Sequence, residues 1–490
     1  MANEQAQASG MAELTLRGVI LGALITLVFT AANVYLGLKI GLTFATSIPA
    51  AVISMAVLRL FSTGTILENN IVQTIASAAG TLSAIIFVLP GLVIIGWWQG
   101  FPYWLSAFTI ATGGILGVMY SVPLRRALVT GSDLPYPEGV AAAEVLKVGA
   151  GSREGLEENK RGLAAIVASA LSAATFSIVA KTRLIAEEAA TFFKLGAGAT
   201  SVSTSFSMAL IGVGHLVGLS VGVAMFIGLL ISWVGLVPYL TAPVAAGADL
   251  STVVGTIFST KARFIGAGTI GVAAIWTLLK ILGPIISGIR SALAANATRK
   301  AGNAGLLDIT ERDLPIGIVA GTIVAAMLPI ALLLWVFAQG GPIALNPVPV
   351  IGLTLAYVLV AGIVIASVCG YMAGLIGASN SPISGVGILA VLGASLLLAA
   401  IYGSGGDEGQ TQALIAYALF TTAIVFGIAT ISNDNLQDLK TGQLVGATPW
   451  KQQLALVLGV IFGALVIPPV LDLLNSAFGF AGASGAGANA

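Results

Sequence analysis

About thirteen times along this chain a stretch of roughly 20 residues passes with almost no charge, the length an α-helix needs to cross the hydrocarbon core of a bilayer. Lipid offers backbone groups no partner but one another, so spans of this length fold as helices that satisfy their own hydrogen bonds. The stretches are 18–36, 41–58, 71–95, 104–124, 163–180, 202–220, 221–240, 264–281, 315–338, 349–369, 384–402, 412–430 and 454–474, the sixth and seventh parted by a Gly-rich bend. Only 8% of residues are charged, against about 25% in a soluble domain. The expected fold class is an all-α polytopic transmembrane helical bundle. Glycine supplies 61 residues, and small residues let helix backbones approach closely in lipid, which predicts tight packing.

Net charge is +1 and no basic block occurs, so nucleic acid is not an expected partner; the lipid bilayer is. One cysteine, Cys369, and one histidine, His215, provide no cluster of metal ligands and no intramolecular disulfide. The chain holds no His-Glu-x-x-His helix and no Gly-x-x-x-x-Gly-Lys-Ser/Thr loop, so neither an enzyme nor ATP-driven coupling is expected. No metal and no cofactor is expected either. Lys and Arg collect in 125–161, in 290–312 and before the last span (Lys440, Lys451), whereas 99–103, 339–348 and 403–411 hold none. Cytoplasmic loops gather such residues. Thirteen spans with a cytoplasmic N-terminus satisfy the alternation and put Trp97, Trp98, Trp104, Trp335 and Tyr402 at the outer interface as anchors. Lys181, Arg183 and Lys194 break the pattern, which leaves room for a re-entrant or further segment between 162 and 240.

The chain repeats itself. Tyr35 precedes Ile40-Gly41 and Pro49, and Tyr371 precedes Ile376-Gly377 and Pro382; an amide cluster follows each, Asn69-Asn70 with Gln73 and Asn433 to Gln437. This predicts an internal duplication: a polar tail (1–16), a first transmembrane half (17–300), a cytoplasmic linker (301–314), a second half (315–475) and a small-residue tail (476–490). Fewer residues follow Tyr371 than separate it from Tyr35, so the second half is abbreviated or the chain stops early. Paired Gly/Pro interruptions are the sequence mark of discontinuous transporter helices. The break at 374–385 frees backbone groups that need partners, and makes Ser379, Asn380 and Ser381 candidates for a substrate wall; a packed kink is the alternative.

Asn69, Asn70 and Gln73 are candidate substrate contacts, or caps of the third span, and Asn433, Asn435 and Gln437 are their counterparts in the second half. Helical spacing puts Asn433 with Gln437 on one face and Asp434 with Asp438 on the next, where two carboxylates raise each other's proton affinity. The alternative is an ordinary helix end at the cytoplasmic surface. Glu138, in the first turn of a helix opened by proline, is a candidate proton carrier; Glu144 either joins it or pairs with Lys147 in solvent. His215 sits in an apolar span and is a candidate proton relay, or a structural histidine held by hydrogen bonds.

Five ordered stretches resemble the oligopeptide transporter superfamily in its prokaryotic branch: ENNIVQTIASAAG at 68–80, DLPYPEG at 133–139, RFIGAGTIGVAAIWTLL at 263–279, GYMAGLIGASNSPISG at 370–385 and SNDNLQDLKTGQLVGATPWKQQ at 432–453. The Pro-Tyr-Pro-Glu-Gly stretch is closer to the yellow-stripe-like metal-chelate carriers, and the Asn-Pro-Gly and Lys-Ile-Pro-Pro-Arg patterns of the eukaryotic peptide carriers are absent. The resemblance implies a secondary active transporter of the bacterial inner membrane, driven by the proton gradient. Its implied cargo is small oligopeptides, or alternatively peptide-like metal chelates of siderophore or nicotianamine type. A non-transporting membrane scaffold subunit is the reading from another class, opposed by the cost of polar breaks at membrane depth. Homo-oligomerisation is left open.

Overall fold

The computed structural model describes residues 11–480 except 42, 62–63, 152–159, 207, 291–307, 340, 382, 404–405 and scattered positions within 163–187 and 274–289. The tails 1–10 and 481–490, the linker residues 301–307, Lys181, Arg183 and Pro382 thus lie outside the described residues. The chain forms two compact units, Met1–Lys160 with Ala274–Ala490, and Arg161–Ala273.

In chain order the first unit opens with α1 (Leu16–Ile40), α2 (Ser47–Leu58), α3 (Ile66–Leu82), α4 (Tyr103–Arg125) and α5 (Pro137–Gly151). The second unit holds β1 (Glu188–Leu195), β2 (Gly198–Ser205), α6 (Met208–Leu229) and α7 (Leu250–Ile257). The chain returns to the first unit with α8 (Ile316–Ala338), α9 (Pro347–Ile376), α10 (Ile383–Tyr402), α11 (Glu408–Val445) and α12 (Pro449–Phe478). Among the described residues nine helical segments are long and apolar enough to cross a membrane. The protein is therefore an all-α polytopic membrane bundle with a single hairpin of strand among the described residues.

Local chemistry sets the helix ends. The Thr15 hydroxyl accepts the Gly18 N–H at 3.0 Å to start α1, and the Thr65 hydroxyl accepts the Glu68 N–H at 3.0 Å to start α3. Prolines 347 and 449 sit in the first turns of α9 and α12, where a missing N–H costs nothing. α1 ends on Gly41 (φ 73°) and α9 on Gly377 (φ 94°), left-handed angles that favour glycine. Removing the α3 cap with Thr65→Ala is expected to cost about 1 kcal/mol, read as a small fall in melting temperature in detergent; an unchanged transition would refute the capping role.

α11 is the axis of the first unit: every residue from 420 to 439 is buried. It packs on α4, α9, α10, α5 and α3. The outer helices turn large apolar side chains outward, as Ile318, Val324, Leu328 and Leu332 of α8 do, which suits a lipid surround. The glycine-rich composition acts at helix crossings, among them α4 with α11 and α3 with α12. A Cβ on Gly113 of α4 would stand 2.5 Å from the Ile424 carbonyl oxygen of α11, and one on Gly427 would stand 3.2 Å from the Gly113 Cα. A Cβ on Gly459 of α12 would likewise stand 2.4 Å from the Ile75 carbonyl oxygen of α3. Both crossings are built backbone on backbone.

Three expectations are corrected. The span anticipated at 41–58 is the short α2, 12 residues from Ser47 to Leu58, preceded by irregular chain over 43–46. The two spans anticipated at 202–220 and 221–240 are one helical run from Met208 to Thr241 without a bend at 220, because Gly218 and Gly222 each weaken a helix by only about 1 kcal/mol. Residues 202–205 belong instead to β2, which pairs antiparallel with β1 from Glu188↔Ser205 to Leu195↔Gly198; its β-branched Thr and Val residues favour the pleated strand. Trp98 is no interface anchor: it is buried, its ring centroid 6.1 Å from Phe337 and 6.5 Å from Phe420.

Candidate functional site

Asn433, Asp434, Asn435, Gln437 and Asp438 lie in the buried stretch of α11, and its helical repeat deals them to three neighbours. Asp434 and Asp438 meet α3: the Ser77 hydroxyl donates to Asp434 Oδ2 at 2.6 Å, and Gln73 Nε2 donates to Asp438 Oδ1. Asn433 and Gln437 meet the break after α9. Asn433 Nδ2 donates to the Ala378 carbonyl at 2.9 Å and its Oδ1 accepts from the Ser381 hydroxyl. Gln437 Nε2 donates to the Ala373 carbonyl at 2.6 Å, while its Oε1 accepts the Gly139 N–H of α5 at 2.7 Å. Asn435 turns to α4 and donates to the Ser121 hydroxyl at 3.2 Å. This cluster is inside the bundle and is not a solvated helix end.

The α3 face opposite the carboxylates is polar at helical spacing: Asn70, Gln73, Ser77. Asn70 is fully buried, and neither atom of its amide has a hydrogen-bond partner; Gln73 Oε1, Asp434 Oδ1 and Asp438 Oδ2 are also buried and unpartnered. Native interiors leave few such groups, and several at one helix interface mark a place where polarity serves binding or transfer. Among the described residues no lysine or arginine pairs with Asp434 or Asp438. Any charge there must be met by a proton or by a charge on a bound solute. Asn69 is spent locally: it accepts the Ser54 hydroxyl at 2.7 Å and donates to the Thr65 carbonyl at 3.0 Å, while the cap of α3 is Thr65.

Glu138 reaches the same region from α5. Tyr136, at φ 45°, donates its N–H to the Gly374 carbonyl at 2.8 Å, which seats Pro137 at the start of α5 and Glu138 in its first turn. The Glu138 carboxylate accepts the Ala378 N–H at 3.2 Å and the Ser379 N–H at 3.0 Å. Burial pushes this carboxyl above its ordinary pKa, against the lowering effect of the Ser379 and Ala378 donors. The Ser379 hydroxyl accepts the Ala45 N–H at 3.1 Å, so the break after α1 and the break after α9 touch each other. Asn380 donates to the Ile376 carbonyl at 3.2 Å across its own turn.

The structure thus brings together Asn70, Gln73, Glu138, Ser379, Ser381, Asn433, Gln437, Asp434 and Asp438. His215 is exposed on α6 and belongs to the second unit. Glu144 and Lys147 pair at 3.1 Å on the exposed face of α5, as a solvated i,i+3 pair would. Sequence reading missed Ser77, Ser47 (hydroxyl to hydroxyl with Ser77 at 3.1 Å) and Gln452, which donates to the Asp438 carbonyl at 3.0 Å. The signal was the 70-73-77 stripe on α3, of which only the amides were noticed. Near the ends of α4 and α12, Arg125 grips Asp313 through Nε at 2.6 Å and an Nη at 2.9 Å, and Gln453 donates to the same carboxylate at 2.7 Å. A cavity of about 270 Å³ opens where α10 gives way to α11, lined by Tyr402, Gln410 and Thr411, and holds none of the candidate residues.

The family profile described as OPT oligopeptide transporter protein matches residues 13–490. A candidate oligopeptide transporter of Haemophilus influenzae is 46% identical over 459 residues, covering 92% of this chain and 71% of its own length. A candidate metal-nicotianamine transporter of rice, Oryza sativa subsp. japonica, is 22% identical over 548 residues, covering 98% of this chain and 70% of its own. With a profile match over nearly its whole length, an apolar helical bundle and polar helix breaks inside it, this chain belongs to the OPT oligopeptide transporter family, whose members are membrane transporters and not enzymes.

Proposed function

We propose that this chain is a proton-coupled symporter that takes up small oligopeptides across the bacterial inner membrane, with its N-terminus in the cytoplasm. The observation that carries the reading is a set of carboxylates on adjoining elements, Glu138 seated on the break after α9 and the buried Asp434 and Asp438 of α11 against α3, held by neutral donors alone among the described residues. Carboxyls so placed carry protons, and the amides of Asn70, Gln73, Asn433 and Gln437 suit the peptide backbone, with Asn435, Ser379, Asn380 and Ser381 beside them. Glycine-ended helices on either side supply the hinges for alternating access. The proton gradient is the driving force and no cofactor is involved. A second reading, uptake of peptide-like metal chelates, is favoured by the rice relative's name and by Pro135-Tyr136-Pro137-Glu138-Gly139.

The test is uptake of labelled di- to tetrapeptides into liposomes carrying the purified chain and an inward proton gradient, with and without ferric chelates as competitors. Gradient-dependent accumulation supports symport, and competition by the chelate shifts the cargo to the second reading. Uptake that ignores the gradient would reject proton coupling.

A further inference from the structure

Gly377, Ala378 and Ser379 leave α9 as a left-handed glycine followed by two turn residues, and the N–H groups of Ala378 and Ser379 converge on one carboxylate, that of Glu138. Successive N–H groups presented after such a turn form a concave anion cradle. A Cβ at position 377 would stand 2.9 Å from Glu138 Oε1, so the carboxylate rests against bare glycine backbone. The anion seated there belongs to another helix and is tethered by side-chain torsions only, so it can leave without unfolding anything.

We propose that this cradle is the binding site for a carboxylate of the transported solute, and that Glu138 occupies it as an internal stand-in until the solute carboxylate takes its place. The inference rests on the transport reading above: a peptide ends in a carboxylate, and peptide-like chelators carry several. The position fits, because Ser379 also receives the Ala45 N–H from the first break and Ser381 meets Asn433, so a solute seated here touches both halves of the duplication. Electrostatics then couples the exchange to a proton. α11 holds Asp434 and Asp438, turned to α3, near enough to Glu138 for like charges to repel, and its Lys440 bonds Gln443 and lies over the Tyr136 ring. α3 contributes Glu68, paired with Arg17 at 2.6 Å; α2 carries no titratable group, and α9 only Tyr357, Cys369 and Tyr371. On α5 itself Glu144 and Lys147 pair with each other. Displaced from its two N–H donors, the Glu138 carboxylate has Lys440 as the one cation without an acidic partner among these described groups, and that ammonium is already held by Gln443 over the Tyr136 ring; the carboxylate is neutralised by a proton, whose uptake its burial favours. One solute carboxylate bound is one proton taken.

Glu138→Ala vacates the cradle and keeps its backbone. At pH 8 in detergent, acetate is expected to raise the melting temperature of this variant by about 2 °C over chloride at equal ionic strength, and to leave the wild type unchanged. Trialanine should displace acetate from the variant, seen by saturation-transfer NMR of acetate, while its C-terminal amide should not. In the wild type trialanine binding should tighten by up to about tenfold per unit of falling pH, and in Glu138→Gln, which also serves if the alanine variant does not fold, it should be the same at pH 8 and pH 6. Acetate that stabilises both proteins equally, or neither, overturns the cradle. So does trialanine competing no better than its amide. Intact acetate rescue with failed gradient-driven uptake would instead strike the symport reading alone.

Discussion

Liposomes carrying Asp434→Asn are expected to equilibrate a peptide across the membrane and not to concentrate it against a proton gradient. Asp434 is fully buried, and its single described hydrogen bond comes from Ser77 at 2.6 Å. Asparagine has the same size and keeps an oxygen for that hydroxyl, so protein abundance should not change. What it cannot do is take up and release a proton. One unit of pH difference supplies about 1.4 kcal/mol, enough to concentrate a singly coupled solute about tenfold, and in the variant that ratio should fall to unity while counterflow exchange continues. Accumulation at the wild-type ratio would remove Asp434 from the coupling path. Loss of exchange as well as accumulation would make it a binding residue.

Asp313→Ala should have the largest effect on stability of any single change outside the cluster. Arg125 is 1% exposed and points two guanidinium nitrogens at Asp313, with Arg126 on the same carboxylate at 3.0 Å. Removing the acid leaves a buried arginine held, among the described residues, by Glu311 alone, whose oxygen stands 3.4 Å away. Breaking one side of such a pair costs about 3–5 kcal/mol, whereas replacing both sides with apolar residues is often nearly neutral. The expected result is a melting temperature lowered by several degrees for Asp313→Ala and recovered in part by Arg125→Met with Asp313→Leu. Equal losses in the single and double variants would show that the pair itself, and not the stranded arginine, sets the cost.

The long apolar spans, the glycine breaks and the two-faced amide and carboxylate cluster of α11 were legible because each is written in contiguous residues at a helical period. Asp434 and Asp438 do share a face distinct from that of Asn433 and Gln437. What was not legible joins positions far apart in the chain. Arg125 with Asp313, Gln73 with Asp438, and Glu13 with the Thr448 hydroxyl at 2.7 Å are pairings that only the folded chain can reveal. Serines such as Ser77 are common in membrane helices, where a hydroxyl can bond its own backbone, so their number carries no message until a partner is seen. β2 was misread because Val202 and Phe206 stand among serines and threonine directly before the apolar run that opens α6 at Met208, so the stretch looks continuous with that helix.

Two of the glycine crossings sort the helices by what holds them. α4 and α11 interlock at Gly113 and Gly427, and α3 and α12 at Gly459 and Ile75, with no side chain between the backbones to bend or swing. Sliding either pair by a turn would drive a carbonyl into a neighbouring chain, so each pair travels as one stiff plank. Between the planks α4 meets α12 through the Val460 side chain at Gly114, and α11 meets α3 through Gln73 reaching Asp438 and Ser77 reaching Asp434, side chains whose torsions can let go and re-form. The seam where parting is cheapest is therefore the line along which the carboxylates stand, and loading them with protons would loosen or tighten the joint on which the two planks turn.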